Sequence, residues 1–144
     1  MIGVQKINNL DQFENKSLLI VDDDNPFRER LARAMEKKGF IVFQAEGAKK
    51  GIELVKQKKP AFAVIDLRLG DGSGLEVVKE IQILNSKSRV IMLTGYGNIP
   101  TAVAAIKQGA IDYLAKPADA DDVERALLAD PNQKAAPPEN PMSA

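Results

Sequence analysis

Five short apolar runs alternate along this chain with segments in helical period. The runs are 17–21, 40–45, 61–65, 89–93 and 111–115. Near-continuous apolar runs of this length suit strands covered on both faces, as in a parallel sheet. Between them apolar residues recur at spacings of three and four. Phe27, Leu31, Ala34 and Met35 mark the first such segment, and Ala48, Ile52 and Val55 the second. Leu75, Val78 and Ile81 mark the third; Ile99, Ala102, Val103 and Ile106 the fourth; Val123 and Leu127 the fifth. Five β–α units predict an α/β fold, a doubly wound (βα)5 five-stranded parallel sheet with right-handed crossovers.

The boundaries follow local chemistry. Asn25 is the predicted N-cap of the first helix, with Pro26 at the first helical position, where a missing N–H costs nothing. Gly39 and Gly109 are predicted to close the first and fourth helices in a left-handed conformation. Residues 1–16 are polar and weakly patterned, which predicts a loose N-terminal arm. Residues 130–144 carry four prolines and almost no apolar bulk, which reads as a linker to something further and a chain cut from a longer protein. The folded unit is therefore expected over 17–129.

What the chain lacks narrows its chemistry. It has no cysteine and no histidine, so thiolate metal sites, disulfides and imidazole catalysis are excluded. Its 20 basic and 20 acidic residues give zero formal net charge, which argues against nucleic-acid binding by this chain alone. No apolar run is long enough to span a membrane, and no basic-then-apolar signal opens the chain; the cytoplasm is the expected location.

The polar residues that matter fall where the apolar runs end. The first run leads into Asp22-Asp23-Asp24 and the third into Asp66. Carboxylates at the edge of buried strands need compensation. If those strands are neighbours, Asp22, Asp23 and Asp66 crowd together and call for a cation. Thr94 and Lys116 follow the fourth and fifth runs. An acid cluster, a hydroxyl and a lysine make a site for Mg²⁺ and a phosphoryl group. Asp66 is the candidate nucleophile, since a carboxylate can accept a phosphoryl group once its charge is offset. Asp22 and Asp23 are candidate metal ligands, with the backbone carbonyl of Arg68 well placed to join them. Asp24 reads as a turn acid at a helix start. Tyr113 reads as a half-buried aromatic that moves with Thr94, Gly95 and Gly97 keep the intervening loop open, and Lys116-Pro117 suggests a fixed turn with a cis bond. Each residue alone has an ordinary structural explanation. Four strand ends presenting complementary groups together do not.

Leu19-Ile20-Val21-Asp22-Asp23-Asp24, Val64-Ile65-Asp66-Leu67-Arg68-Leu69, Gly72-Ser73-Gly74-Leu75-Glu76, Leu93-Thr94-Gly95-Tyr96-Gly97 and Tyr113-Leu114-Ala115-Lys116-Pro117 together resemble a bacterial response-regulator receiver domain over about residues 16–129. The resemblance implies a flavodoxin-like receiver fold and phosphorylation of Asp66 by a cognate sensor histidine kinase. It also implies Mg²⁺ on Asp22, Asp23, Asp66 and the Arg68 carbonyl, a Thr94–Tyr113 switch pair, and Lys116 as the phosphate-sensing base. The output face would be the fourth helix, fifth strand and fifth helix, available for a homodimer. The run 115–122 and the tail 137–144 are similar to the redox-responsive transcriptional regulators of the RegA/PrrA/ActR group. That implies DNA contact only through a C-terminal helix-turn-helix domain absent here. Two departures stand out. Many receivers have proline shortly after the position of Leu69, where this chain has Gly70, predicting a more mobile loop. Many have phenylalanine after Lys-Pro, where this chain has Ala118, predicting looser packing before the last helix.

Three other readings compete with this one. A standalone receiver would act by protein contact alone. An aspartate-nucleophile phosphohydrolase would carry a second acid two residues after its nucleophile, where this chain has Arg68. A flavodoxin-like cofactor binder would need a phosphate-cradling loop after the first strand, where Asp22-Asp23-Asp24 would repel a phosphate not accompanied by metal.

Overall fold

The computed structural model describes residues 9–95 and 99–129. Tyr96, Gly97, residues 1–8 of the arm and the linker 130–144 lie outside the described residues. The strands are β1 (Ser17–Val21), β2 (Ile41–Ala45), β3 (Phe62–Asp66), β4 (Arg68–Leu69), β5 (Gly72–Ser73), β6 (Arg89–Thr94) and β7 (Asp112–Ala115). The helices are α1 (Asn25–Lys37), α2 (Ala48–Lys58), α3 (Gly74–Leu84), α4 (Ile99–Lys107) and α5 (Ala120–Leu128). Five strands form one parallel sheet in the order β2-β1-β3-β6-β7, and β4 pairs antiparallel with β5 in a small hairpin. The doubly wound sheet is the expected one; the hairpin after Asp66 was not expected.

Alternation along the central strands builds two cores. Leu19, Val21, Ala63, Ile65, Val90 and Met92 face Val55, Val77, Val78, Ile81 and Ala105 of α2, α3 and α4. Leu18, Ile20, Phe62, Val64, Ile91 and Leu93 face Phe27, Leu31, Met35, Val123 and Leu127 of α1 and α5. β1, β3 and β6 are thus covered on both faces. β2 and β7 are sheet edges, and Ile41 is largely exposed, so the continuous apolar runs overstated their burial.

Several local expectations are corrected. The N-cap of α1 is Asp24, whose side chain accepts the Phe27 N–H at 3.1 Å, so Asn25 is already helical. Asp24 and Asn25 are both good caps, and the helix starts one residue earlier than predicted. Gly39 and Gly109 do take positive φ, 108° and 123°. The described part of the arm is docked rather than loose. Leu10 is buried, and Phe13 meets Phe62 edge-on at 5.2 Å, because these two apolar side chains cover the sheet's lower end. On α4, Val103 and Ile106 are 42% and 37% exposed, and among the described residues of the helix Ala105 is the buried one. The loosely packed approach to α5 is visible as a groove of about 390 Å³ lined by Phe27, Leu31, Pro117 and Ala118, among others. Among the described residues, no helix is long and apolar enough to cross a membrane.

Candidate functional site

Strand register assembles the site. Val21 pairs with Ile65, so Asp22 and Asp66, each one residue further on, come level at adjacent strand ends. Leu93 pairs with Asp66 and Ala115 with Thr94, which brings Thr94 and Lys116 to the same edge. The site lies between β1 and β3, where the strand order reverses, the usual ligand crevice of a doubly wound sheet.

Asp22 is completely buried, Asp66 nearly so, and Asp23 exposed. One carboxylate oxygen from each lies within 4.8 Å of the others. Lys116 Nζ stands 3.0 Å from Asp22 Oδ2 and 3.4 Å from Asp66 Oδ2. It also donates to Asp22 Oδ1 at 3.3 Å, and that oxygen accepts the Asp24 N–H at 2.9 Å. Asp66 Oδ1 accepts the Arg68 N–H at 3.3 Å. Asp22 Oδ2 is different. It has the 3.0 Å charge contact with Nζ but no donor aligned on it. A buried carboxylate oxygen left so is costly, and a hard divalent cation completes it. Three carboxylates around one ammonium also leave negative charge over. The donor set therefore fits a Mg²⁺-like ion.

The electrostatics follow from burial. Burial pushes the Asp66 carboxyl up to about 6, aided by the Asp22 charge and opposed by Lys116 and the Arg68 N–H. Burial works to lower Lys116, but its hydrogen bond to Asp22 and the charges of Asp22 and Asp66 outweigh it, and the net shift is upward.

Thr94 is buried, and its hydroxyl donates to the Gly95 carbonyl at 3.1 Å. Tyr113 is half-buried against the α2/α3/α4 core. Lys116-Pro117 is cis. Arg68 is exposed on β4. The structure thus gathers the Asp22, Asp23 and Asp66 carboxylates within 4.8 Å of one another, with Lys116 paired to Asp22 and Asp66 and Thr94 at the neighbouring strand end.

Three supporting residues escaped the sequence reading. Phe27 places its ring 5.0 Å below Lys116 Nζ, a cation–π contact that steadies the ammonium. Arg28 is buried, and its guanidinium donates to the Asp22 carbonyl at 2.8 Å, Asn25 Oδ1 at 2.6 Å and Gln44 Oε1 at 3.0 Å. It anchors the turn that carries the acids. A helical arginine reads as solvated, so no sequence signal marks it. Asp71 hydrogen-bonds the start of α2. The loop at Gly70, expected to be mobile, is fastened by that contact and by the β4–β5 pairing.

A family model described as the response regulator receiver domain matches residues 18–128. The chain belongs to that family. Across 90% of its length this receiver is 61% identical to the acid tolerance regulatory protein ActR of Sinorhizobium medicae, covering 67% of that protein. It is 58% identical to the photosynthetic apparatus regulatory protein RegA of Rhodobacter capsulatus, over 90% of this chain and 71% of that one. Among solved structures, a response regulator from Burkholderia pseudomallei with a phosphorylated aspartic acid, calcium ion and citrate matches at TM-score 0.76 and 38% identity, over 82% of this chain and 69% of that one. Receiver domains are signalling modules that work with sensor histidine kinases and hold a divalent metal at an acidic pocket. This one is homologous to transcriptional response regulators.

Proposed function

We propose that this receiver accepts a phosphoryl group from its cognate histidine kinase onto Asp66, with Mg²⁺ held by Asp22, Asp23, Asp66 and the Arg68 carbonyl. The observation that carries the reading is Lys116 Nζ standing between Asp22 and Asp66 at the strand ends, 3.0 and 3.4 Å away. In the resting site the ammonium offsets the buried acids, and from the same place it can pair with an incoming phosphoryl anion.

With its carboxyl near 6, Asp66 is mostly ionised at neutral pH. One of its oxygens attacks phosphorus, the bond from phosphorus to the kinase imidazole breaks, and the imidazole keeps the electron pair. The product is an acyl phosphate on Asp66. Held by Asp22, Asp23, Asp66 and the Arg68 carbonyl, Mg²⁺ would offset the negative charge the phosphoryl group brings to the acids. Lys116 pairs with a phosphoryl oxygen. The Thr94 hydroxyl leaves the Gly95 carbonyl for another, and Tyr113 turns toward the space that opens. The surface of α4, β7 and α5 is then reshaped. Exposed Val103 and Ile106 make the α4 part of it fit for a homodimer.

We take 17–129 as the receiver unit, with 1–16 as an arm and 130–144 as a linker. Output runs through a helix-turn-helix domain joined by that linker, so DNA contact belongs to that domain and the location is cytoplasmic. The receiver itself is not an enzyme beyond any intrinsic loss of its own phosphoryl group. The test is incubation with Mg²⁺ and acetyl phosphate. The wild-type chain gains the mass of one phosphoryl group and Asp66→Asn gains none. Undiminished labelling of Asp66→Asn overturns the assignment.

A further inference from the structure

The loop after Asp66 is tied at its tip to a different helix. Arg68 and Leu69 pair with Ser73 and Gly72, leaving Gly70-Asp71 as the turn. The Asp71 carboxylate crosses to α2 and accepts the N–H groups of Ala48 at 2.7 Å and Lys49 at 3.1 Å. These are among the N–H groups a helix cannot satisfy itself. The residue in the N-cap position of α2 is Gly47, which has no side chain to do so. Its φ of −163° is open to any residue, so backbone freedom does not explain the glycine. Space does. A Cβ on Gly47 would fall 2.7 Å from Asp71 Oδ1. The bare N-cap is what admits the carboxylate.

The other end of the hairpin is joined to the acid site. Arg68 N–H donates to Asp66 Oδ1, and Gly74 N–H donates to the Leu67 carbonyl at 2.9 Å. We propose that Asp71 is a positioning residue, which holds the Arg68 carbonyl and the Asp66 carboxylate in place for the metal by anchoring the hairpin on α2. The inference rests on the metal site proposed above. It assigns this chain a tether in place of a stiff proline in the loop, and makes α2 part of the site's support.

The test compares Mg²⁺ affinity, by calorimetry, with stability, by urea unfolding, in four proteins. These are wild type, Asp23→Ala, Asp71→Ala, and Asp71→Ala combined with Gly47→Ser. The serine caps α2 locally without retying the loop, and the clash at position 47 is gone once Asp71 is alanine. Loss of a group supporting metal ligands weakens binding roughly 10-fold or more, and that is the result expected for Asp71→Ala. The double variant should regain the unfolding midpoint but not the affinity. In wild type, Mg²⁺ should also shift the amide resonances of Ala48 and Lys49, and Asp71→Ala should lose that response. Recovery of affinity together with stability in the double variant makes Asp71 a helix cap only and overturns the proposal. So does wild-type affinity in Asp71→Ala while Asp23→Ala is weakened. Unchanged affinity in Asp23→Ala removes the metal site itself and this inference with it. Should Asp71→Ala fail to fold, Asp71→Asn keeps one acceptor for α2. Intermediate affinity then supports the proposal and unchanged affinity overturns it.

Discussion

Gly74 leaves no room for a side chain behind Asp66: a Cβ there would fall 2.2 Å from the Asp66 carbonyl oxygen. The obstacle is backbone at the end of a buried strand, and Ile65 crowds the same point at 2.9 Å. Neither can swing aside as a flexible side chain would. Helix α3 thus starts in direct contact with the backbone of the candidate phosphoacceptor.

Gly74→Ala should therefore destabilise the domain, although alanine is the better helix former. Overpacking of this kind costs about 1–3 kcal/mol, more than the roughly 1 kcal/mol gained in helix propensity. Urea unfolding measures the loss. A variant as stable as wild type would mean that α3 shifts freely, against the contact described.

The metal-free domain should lose stability as pH rises through about 6. The folded Asp66 carboxyl titrates near 6, above its ordinary 3.8, because burial and the Asp22 charge disfavour the ionised form. Between those values the folded state binds more protons than the unfolded chain, so this contribution is complete below the lower value and gone above the upper. The shift sets a ceiling on the order of 3 kcal/mol. Urea midpoints from pH 4 to 7.5 without Mg²⁺ measure it, against Asp66→Asn, which should remove this part of the slope. Equal slopes in both proteins would contradict the assignment.

Asp23→Ala should weaken Mg²⁺ binding and phosphorylation together. Asp23 is the exposed member of the three acids and supports no core packing. Its removal also relieves like-charge repulsion, so the metal-free fold should be as stable as wild type or slightly more so. Calorimetric titration and labelling from acetyl phosphate check the two parts. Loss of stability in place of affinity would make Asp23 a turn residue.

Thr94→Ala should be phosphorylated yet switch poorly. Among the described residues the Thr94 hydroxyl bonds its neighbour's carbonyl and no member of the acid cluster, so its loss leaves that cluster intact. With beryllofluoride on Asp66, wild type should show NMR changes across β7 and at Tyr113 by selecting a conformer already sampled. Thr94→Ala should show smaller ones. No change over residues 94–118 in wild type with Asp66 fully occupied would overturn the switch and place any response on another face.

Much of this receiver was legible in the chain itself. Alternating strand and helix periods prescribe the five β–α units, because each pattern buries its apolar side in only one kind of backbone. Asp22, Asp66, Thr94 and Lys116 were visible because each ends an apolar run, and a polar group there has to be explained. Other features depend on partners far away in sequence. Whether β2 and β7 are edges depends on strand order, which their own residues do not encode. Val103 and Ile106 share a helical face, yet both are exposed while Ala105 is buried. The choice of Asp24 over Asn25 as cap was between near-equals, settled by how α1 leaves β1. Arg28 is solvated by every local rule and becomes buried only because the Asp22 carbonyl and Gln44 wait for it. Asp71 looks like a turn acid until α2, with its bare N-cap at Gly47, is packed beside it. Local periodicity determines which segments become strands and helices, since it depends only on near neighbours. Only the tertiary fold decides which polar groups from different elements meet, since burial and hydrogen bonding are properties of the assembled whole.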